Sequence, residues 1–319
     1  MNWFLAVVVP SAAAVTFLCG IAWRVLRWAN TPVPFRIPLT AGQQASLPFL
    51  KPNRLDNPST TFGASVRVAF EVLFFRSLLR NVALERQPGG RLAYLEALGL
   101  WAGALAFHYA LLVVLLRHLR LVLEPVPAIV TRLVALDTAF EIGVPAVYAS
   151  DVVLLAALGF LAGRRVASAP LRQLSLFSDY ALPLLIGAVA VTGVLLRHVV
   201  RADVVAVKAL ALGLVTLTPP RTTSLPPLAL LHIALASTLV ALLPFTKLVH
   251  MAAMFLSPTR TLANTSRTKR HVNPWHTVAQ PHTYAEWETH FRDKLLAAGL
   301  PVEESAADRV AAAGSGTDA

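Results

Sequence analysis

The chain is poor in cysteine and in charge. Cys19 is the only cysteine among 319 residues. One thiol excludes an intrachain disulfide, an all-cysteine iron–sulfur site held by this chain alone, and covalent haem attachment through C-x-x-C-H. Any redox centre here must take other ligands, and Cys19 itself reads as a small core or lipid-facing residue. Charged residues make up 14% of the chain and apolar ones 56%, whereas a soluble domain carries about a quarter charged. Acidic residues are the scarcer sign, 17 against 28 Lys and Arg, for a net charge of +11. That surplus does not point to nucleic acid, because the basic residues flank apolar runs and no stripe of interleaved aromatics and Arg is present. It fits loops facing anionic lipid and partner proteins. A basic stretch before the first apolar run is also missing: Arg24 and Arg27 follow it. The run therefore reads as a retained span rather than a cleaved signal. No internal repeat is visible.

What the chain has is long apolar runs. Five are long enough to cross about 30 Å of hydrocarbon: Phe4–Val25, Leu95–Leu116, Ile142–Ala162, Tyr180–Val200 and Leu225–Phe255. The last is longer than a crossing needs and can tilt or protrude. Two stretches fall short. Val66–Leu79 interleaves apolar residues with Arg67, Glu71 and Arg76 and reads as an interfacial helix. Ala202–Leu217, with Asp203 and Lys208, reads as interfacial or partly buried. The expected fold is all-α, an integral-membrane bundle of about five helices in the cell membrane. With the N-terminus outside and the C-terminus cytoplasmic, the inner segments hold 20 Lys and Arg and the outer ones 7, as the positive-inside rule requires. The expected organisation is a first span over 1–28, a cytoplasmic loop with its interfacial helix over 29–93, a four-helix membrane core over 94–256, and a basic cytoplasmic tail over 257–319 with a disordered end.

Two of the apolar runs each carry a pair of histidines, His108 with His118 and His232 with His250. Ionisable groups are costly within a bilayer and usually mark a functional site. His108 and His118 are ten residues apart, about 15 Å along a helix. His232 and His250 are eighteen apart, about 27 Å or five whole turns, and so share a face. The second and fifth spans run antiparallel. His108 therefore shares an inner depth with His250, and His118 an outer depth with His232. Four imidazoles in two depth-matched pairs are suited to be axial ligands of two haems. A haem with histidine on both faces has no open iron position and transfers electrons.

Other residues are weaker candidates. His198, at the outer end of the fourth span, can compete as an outer ligand or hydrogen-bond a quinol. Arg117, Arg120 and Arg197 at the outer surface, and Lys247 and Arg260 at the inner, can meet haem propionates, although each also suits a snorkelling anchor. Asp137 and Glu141 can accept a quinol proton. Asp151 and Asp179 read more simply as caps or headgroup contacts, and Lys208 is a weak quinone candidate. His271, His276, His282 and His290 fit no zinc spacing and read as surface residues.

The spacings of ten and eighteen are similar to those of the gamma subunits of respiratory nitrate reductase, five-helix cytochromes b with two b haems. That resemblance implies His108 with His250 for the inner haem and His118 with His232 for the outer. The strings EVLFFRSLLRN, FHYALLVVLLRHLR followed by EPVP, SDYALPLLIGAVAVTGVLLR and SRTKRHVNPW resemble a branch of that family, the M subunits of the Dsr complex of dissimilatory sulfur metabolism. The resemblance covers roughly residues 60–280. It implies electron exchange between menaquinone, bound near the outer haem, and a cytoplasmic iron–sulfur subunit resembling the catalytic subunit of heterodisulfide reductase. The long first inner loop and basic tail depart from the nitrate reductase pattern and suit a different partner. Alternatives with the same wiring are a nitrate reductase gamma subunit or a heterodisulfide reductase cytochrome b. A haem-free membrane anchor or transporter is an alternative of another class.

Overall fold

A computed structural model describes residues 2–31, 53–79, 82–86, 92–96, 98–138, 147–221, 224–264 and 281–303. Four helices are long and apolar enough to cross a membrane. They are α1 (Phe4–Ala29, opening on a π-helical turn), α4 (Leu98–Val122), α8 (Ser178–Val200, ending in a π-helical turn) and the first part of the last span, α10 (Pro227–Leu242), extended by a 3₁₀ turn to Phe245. At the expected third span lies α6 (Ala149–Ala167), followed by a short α7 (Ala169–Leu174); α6 has 19 residues, about 28 Å of rise, and is not among those four. Its charges, Asp151, Arg164 and Arg165, lie in its first and last turns, where they leave an apolar middle. The expected third span began at Ile142; α6 begins at Ala149 after Tyr148, and residues 142–146 lie outside the described part. The chain is thus an all-α, multi-pass membrane protein.

The helices pack in the order α1, α10, α8, α6, α4. Among the described residues, α4 and α10, which carry His108, His118 and His232, make no extensive contact with each other. Two apolar clusters hold the ends of this series. Phe107 and Ala110 of α4 pack on Leu154 and Ala157 of α6. Ala6 and Val7 of α1 pack on Ala229 and Leu230 of α10 and on Leu210 of a further helix, α9 (Val204–Val215). Each buried side chain of this size contributes about 1.5–3 kcal/mol in water. Within lipid, close packing replaces that term. Helix α9 corresponds to the expected interfacial stretch and starts on Asp203, whose carboxylate accepts from the Val205 and Ala206 amides. The short α5 (Ala128–Thr138) also packs on α4.

The last span is not the continuous helix that its composition suggested. Pro244 lacks an amide hydrogen and cannot continue the ladder. The chain passes through Thr246 in extended conformation (φ −117°, ψ −179°) and a second 3₁₀ turn, Lys247–Val249, before α11 (His250–Leu256) begins. Thr246 caps the restart by accepting from the Leu248 amide (3.4 Å). Arg24 of α1 donates to the freed Pro244 carbonyl (3.1 Å). Gly20 makes this approach possible, since a Cβ there would lie 2.8 Å from Pro244. The five-turn argument that put His232 and His250 on one face therefore does not hold.

The expected interfacial helix is α2 (Thr61–Phe74), capped by Thr60 Oγ1 accepting from Gly63 N and followed by a short α3 (Arg76–Leu79). Phe75 turns between them with φ 49°. Two open carbonyls at the end of α2 are met from α4: Tyr109 donates to Leu73 O (2.9 Å) and Trp101 to Phe74 O (2.8 Å). An antiparallel hairpin follows, β1 (Val82–Arg86) with β2 (Leu92–Glu96), with Val82 opposite Glu96. It occupies part of the stretch expected to be loop. Contacts divide the chain into Met1–Lys269 and Arg270–Ala319. The second unit contains α13 (Tyr284–Ala297), opened by a Thr283/Glu286 capping box. Between α11 and Lys269, the short α12 (Pro258–Thr261) packs on α2.

Candidate haem-binding site

The structure brings the histidines together across the bundle. The His108 and His250 rings stand 5.9 Å apart, centroid to centroid, at 87°. Phe75, from the α2–α3 corner, lies edge-on to His108 at 4.9 Å. His118 and His232 are close enough to sense each other's charge. His108 and His250 thus meet across the bundle, His250 from a separate helix.

Each of the four rings is held by one nitrogen. Nδ1 of His108 bonds the Ala104 carbonyl (2.7 Å), Nδ1 of His118 the Val114 carbonyl (2.7 Å), and Nδ1 of His250 the Lys247 carbonyl (3.0 Å). Nδ1 of His232 meets Thr192 Oγ1 (2.9 Å), and that hydroxyl donates to Ala188 O (2.8 Å). A hydroxyl whose hydrogen is committed to a carbonyl must accept from the imidazole. All four Nδ1 atoms are thereby donors, which fixes the neutral tautomer with a free lone pair on Nε2. Histidine ligands of metals are oriented in this way. Gly193 lies under the His232 ring, where a Cβ would come within 3.2 Å of Cε1. An iron held between two imidazole nitrogens at roughly 2 Å each puts the ring centroids about 6 Å apart, which the inner pair matches. His118 and His250 are exposed although they sit on apolar helices. Donor type and tautomer fit a bis-histidine haem at both pairs, and the spacing fits at the inner one.

The other expected residues have different settings. His198 is not an outer ligand in this arrangement: its Nε2 faces Asp151 Oδ2 (3.4 Å) and its ring lies edge-on to Tyr148. Asp151, expected as a cap or headgroup contact, and Asp137, expected as a candidate acceptor of a quinol proton, are buried with Arg117. Arg117 donates to Asp137 Oδ2 (2.8 Å) and to Asp151 Oδ1, and Ser150 donates to Asp137 through both its amide (3.1 Å) and its hydroxyl (2.7 Å). The Arg117 fork is thus filled by carboxylates rather than open to a propionate. Arg197 donates to the Tyr148 hydroxyl (3.0 Å), and Arg120 also reaches it, so these two are the outer cations nearest to hand. Glu141 lies outside the described residues. Lys208 pairs with Glu124, near the outer end of α4, and Lys247 with Asp179 (2.5 Å). Arg260 bonds Glu71 Oε1 (2.6 Å) and Ser77, tying α12 to the α2–α3 corner. Arg67 is buried beside them. Burial, then the Arg260 charge, weakens the hold of the Arg67 guanidinium on its proton, and Glu71 partly restores it.

A multi-pass helical bundle with two cross-helix histidine pairs, each ring fixed with Nε2 free, is the frame of a membrane cytochrome b. Residues 93–266 match the nitrate reductase gamma subunit family. Two Hdr-like menaquinol oxidoreductase cytochrome b-like subunits are similar over most of their length. That of Archaeoglobus fulgidus is 40% identical over 276 residues, 84% of this chain and 82% of the relative. That of Archaeoglobus profundus is 39% identical over 273 residues, 83% and 81% respectively. The chain belongs to the nitrate reductase gamma subunit family and has the role of a membrane electron-transfer cytochrome b.

Proposed function

We propose that this chain is a dihaem cytochrome b subunit that carries electrons between a quinone pool and a cytoplasmic iron–sulfur partner. The observation that carries the reading is the common state of the four histidines: paired in depth, with every Nδ1 committed as a donor. His108 and His250 hold an inner haem b, His118 and His232 an outer one, both without covalent attachment. A haem with two imidazole ligands supplies a one-electron relay that leaves no iron position open. The chain's own part is to orient the rings through Thr192 and three main-chain carbonyls and to keep water from the pairs with apolar helices. The N-terminus faces outside and the tail the cytoplasm. Quinol binds near the outer pair, as the family resemblance implies. The relatives' name supports menaquinol as the quinone. It also supports a complex with further subunits, and the family resemblance implies that one of them is a cytoplasmic partner resembling the catalytic subunit of heterodisulfide reductase. The Dsr-like strings support a role in dissimilatory sulfur metabolism, with the sulfur chemistry on another subunit.

The test is a haem b assay with reduced-minus-oxidised spectra of the purified chain. About two haems b per chain are expected, falling to about one in His108→Ala or His250→Ala with the outer signal retained. A chain that purifies folded and without haem b sinks the reading.

A further inference from the structure

Beside the outer pair lies a histidine that ligation does not use. The His198 side chain is only 7% exposed. Its Nε2 faces Asp151 Oδ2. Among the described residues, its Nδ1 has no hydrogen-bond partner. His198 also sits six residues beyond Thr192, the residue that orients His232, about 9 Å further out on the same helix. Asp151 cannot turn away: its other oxygen is held by Arg117, which neighbours His118 in sequence. The groups around the dyad are all engaged. Arg117 and Ser150 hold Asp137, and Arg197 and Arg120 reach Tyr148. Among the described residues, Nδ1 of His198 is a lone-pair nitrogen left without a partner in this buried cluster.

We propose that His198, oriented by Asp151, is the proton acceptor for quinol oxidised at the outer end of the bundle. This rests on the reading that quinol is oxidised beside the outer pair. Oxidation of one quinol breaks two O–H bonds and releases two electrons and two protons. The hydroxyl facing His198 gives its proton to Nδ1, whose lone pair forms the new N–H bond. Asp151 Oδ2 accepts the Nε2–H bond and balances the imidazolium. The electrons leave singly to a ferric b-type haem, the oxidant that the proposed function supplies. The second hydroxyl gives its proton to water at the outer face. In quinone reduction His198 returns the proton. A base with its far nitrogen set by a carboxylate is a recurring arrangement for general-base catalysis. Asp151 is then a positioning residue.

The experiment follows haem b reduction by menadiol, a soluble menaquinol analogue, in the purified full chain from about pH 5 to 8, where imidazole titrates. His198→Gln is expected to keep its haem content and its dithionite-reduced spectrum. Its menadiol-driven turnover should fall about 100-fold or more, with KM little changed. The pH dependence of the rate should differ from that of the unmodified chain, because the proposed proton acceptor is gone. Asp151→Asn, which keeps the side-chain shape, should alter the pH profile without removing haem, and it decides the matter if His198→Gln loses haem. A turnover within about twofold of the unmodified chain, or a fall with an unchanged pH profile, overturns the proposal. An unmodified chain with two haems that menadiol does not reduce removes the quinol reading beneath it instead.

Discussion

The two ends of this bundle solve the same problem differently. At the outer end the ligand pair lies on regular helices, and its surroundings are a buried ionic network. Arg117 from α4, Asp137 from α5 and Asp151 from α6 close on one another with side chains only 7–10% exposed. At the inner end the backbone is irregular and the charges are half open. His250 follows a broken helix, Phe75 stands in left-handed conformation against His108, and Lys247 and Arg260 are 63% and 32% exposed in their ion pairs. The outer end is fixed by interactions far apart in sequence that have excluded water. The inner end is fixed by short segments, with Thr60 and Thr246 as side-chain caps, and its cations remain available to solvent or to another subunit.

Removing one charge at each end should show the contrast. Arg117→Ala leaves two buried carboxylates without their counter-charge, and the expected cost is about 3–5 kcal/mol. It should appear in a denaturant titration of the purified chain in detergent. Next in size is the outer anchor. His232 alone is oriented by a side chain, so Thr192→Val can remove its acceptor, and retention of the outer haem should weaken about 10–100-fold. The inner haem serves as the internal reference, read from the same spectrum. The smallest effect belongs to Arg260→Ala. Its partner Glu71 keeps bonds from the Ser77 amide and hydroxyl, and the arginine is partly solvated. The cost should be about 1 kcal/mol in the same titration. If Arg260→Ala costs as much as Arg117→Ala, the two ends do not differ as described.

Much of the outline was legible in the chain. The apolar runs located α1, α4, α6, α8 and α10, because helices in lipid must satisfy their own backbones and therefore come as long uninterrupted stretches. The histidine spacings and the antiparallel order of the spans indicated which rings would meet. The break in the last span was overlooked because Leu-Pro-Phe lies within an apolar run. The signal was local all the same: a proline followed two residues later by Thr246 is a stop and a new cap. The outer network was not legible. Arg117 is 20 residues from Asp137 and 34 from Asp151, and no periodicity reports an ion pair over such distances. Each carboxylate, taken alone, suits a cap or a headgroup. Only the packing of α4 against α5 and α6 shows that they share one cation. The free nitrogen of His198 follows from that same packing.

The interruption at Thr246 has a bearing on how such a chain tolerates change. In one continuous helix, every residue inserted or removed between His232 and His250 would swing one ring by about 100° relative to the other, and one pair or the other would be lost. An extended residue between two separately capped helices absorbs the change in its own dihedral angles. The two histidines of this segment are thus registered independently, each against its own neighbours. Drift in the length of the connecting stretch need not cost the protein either pair.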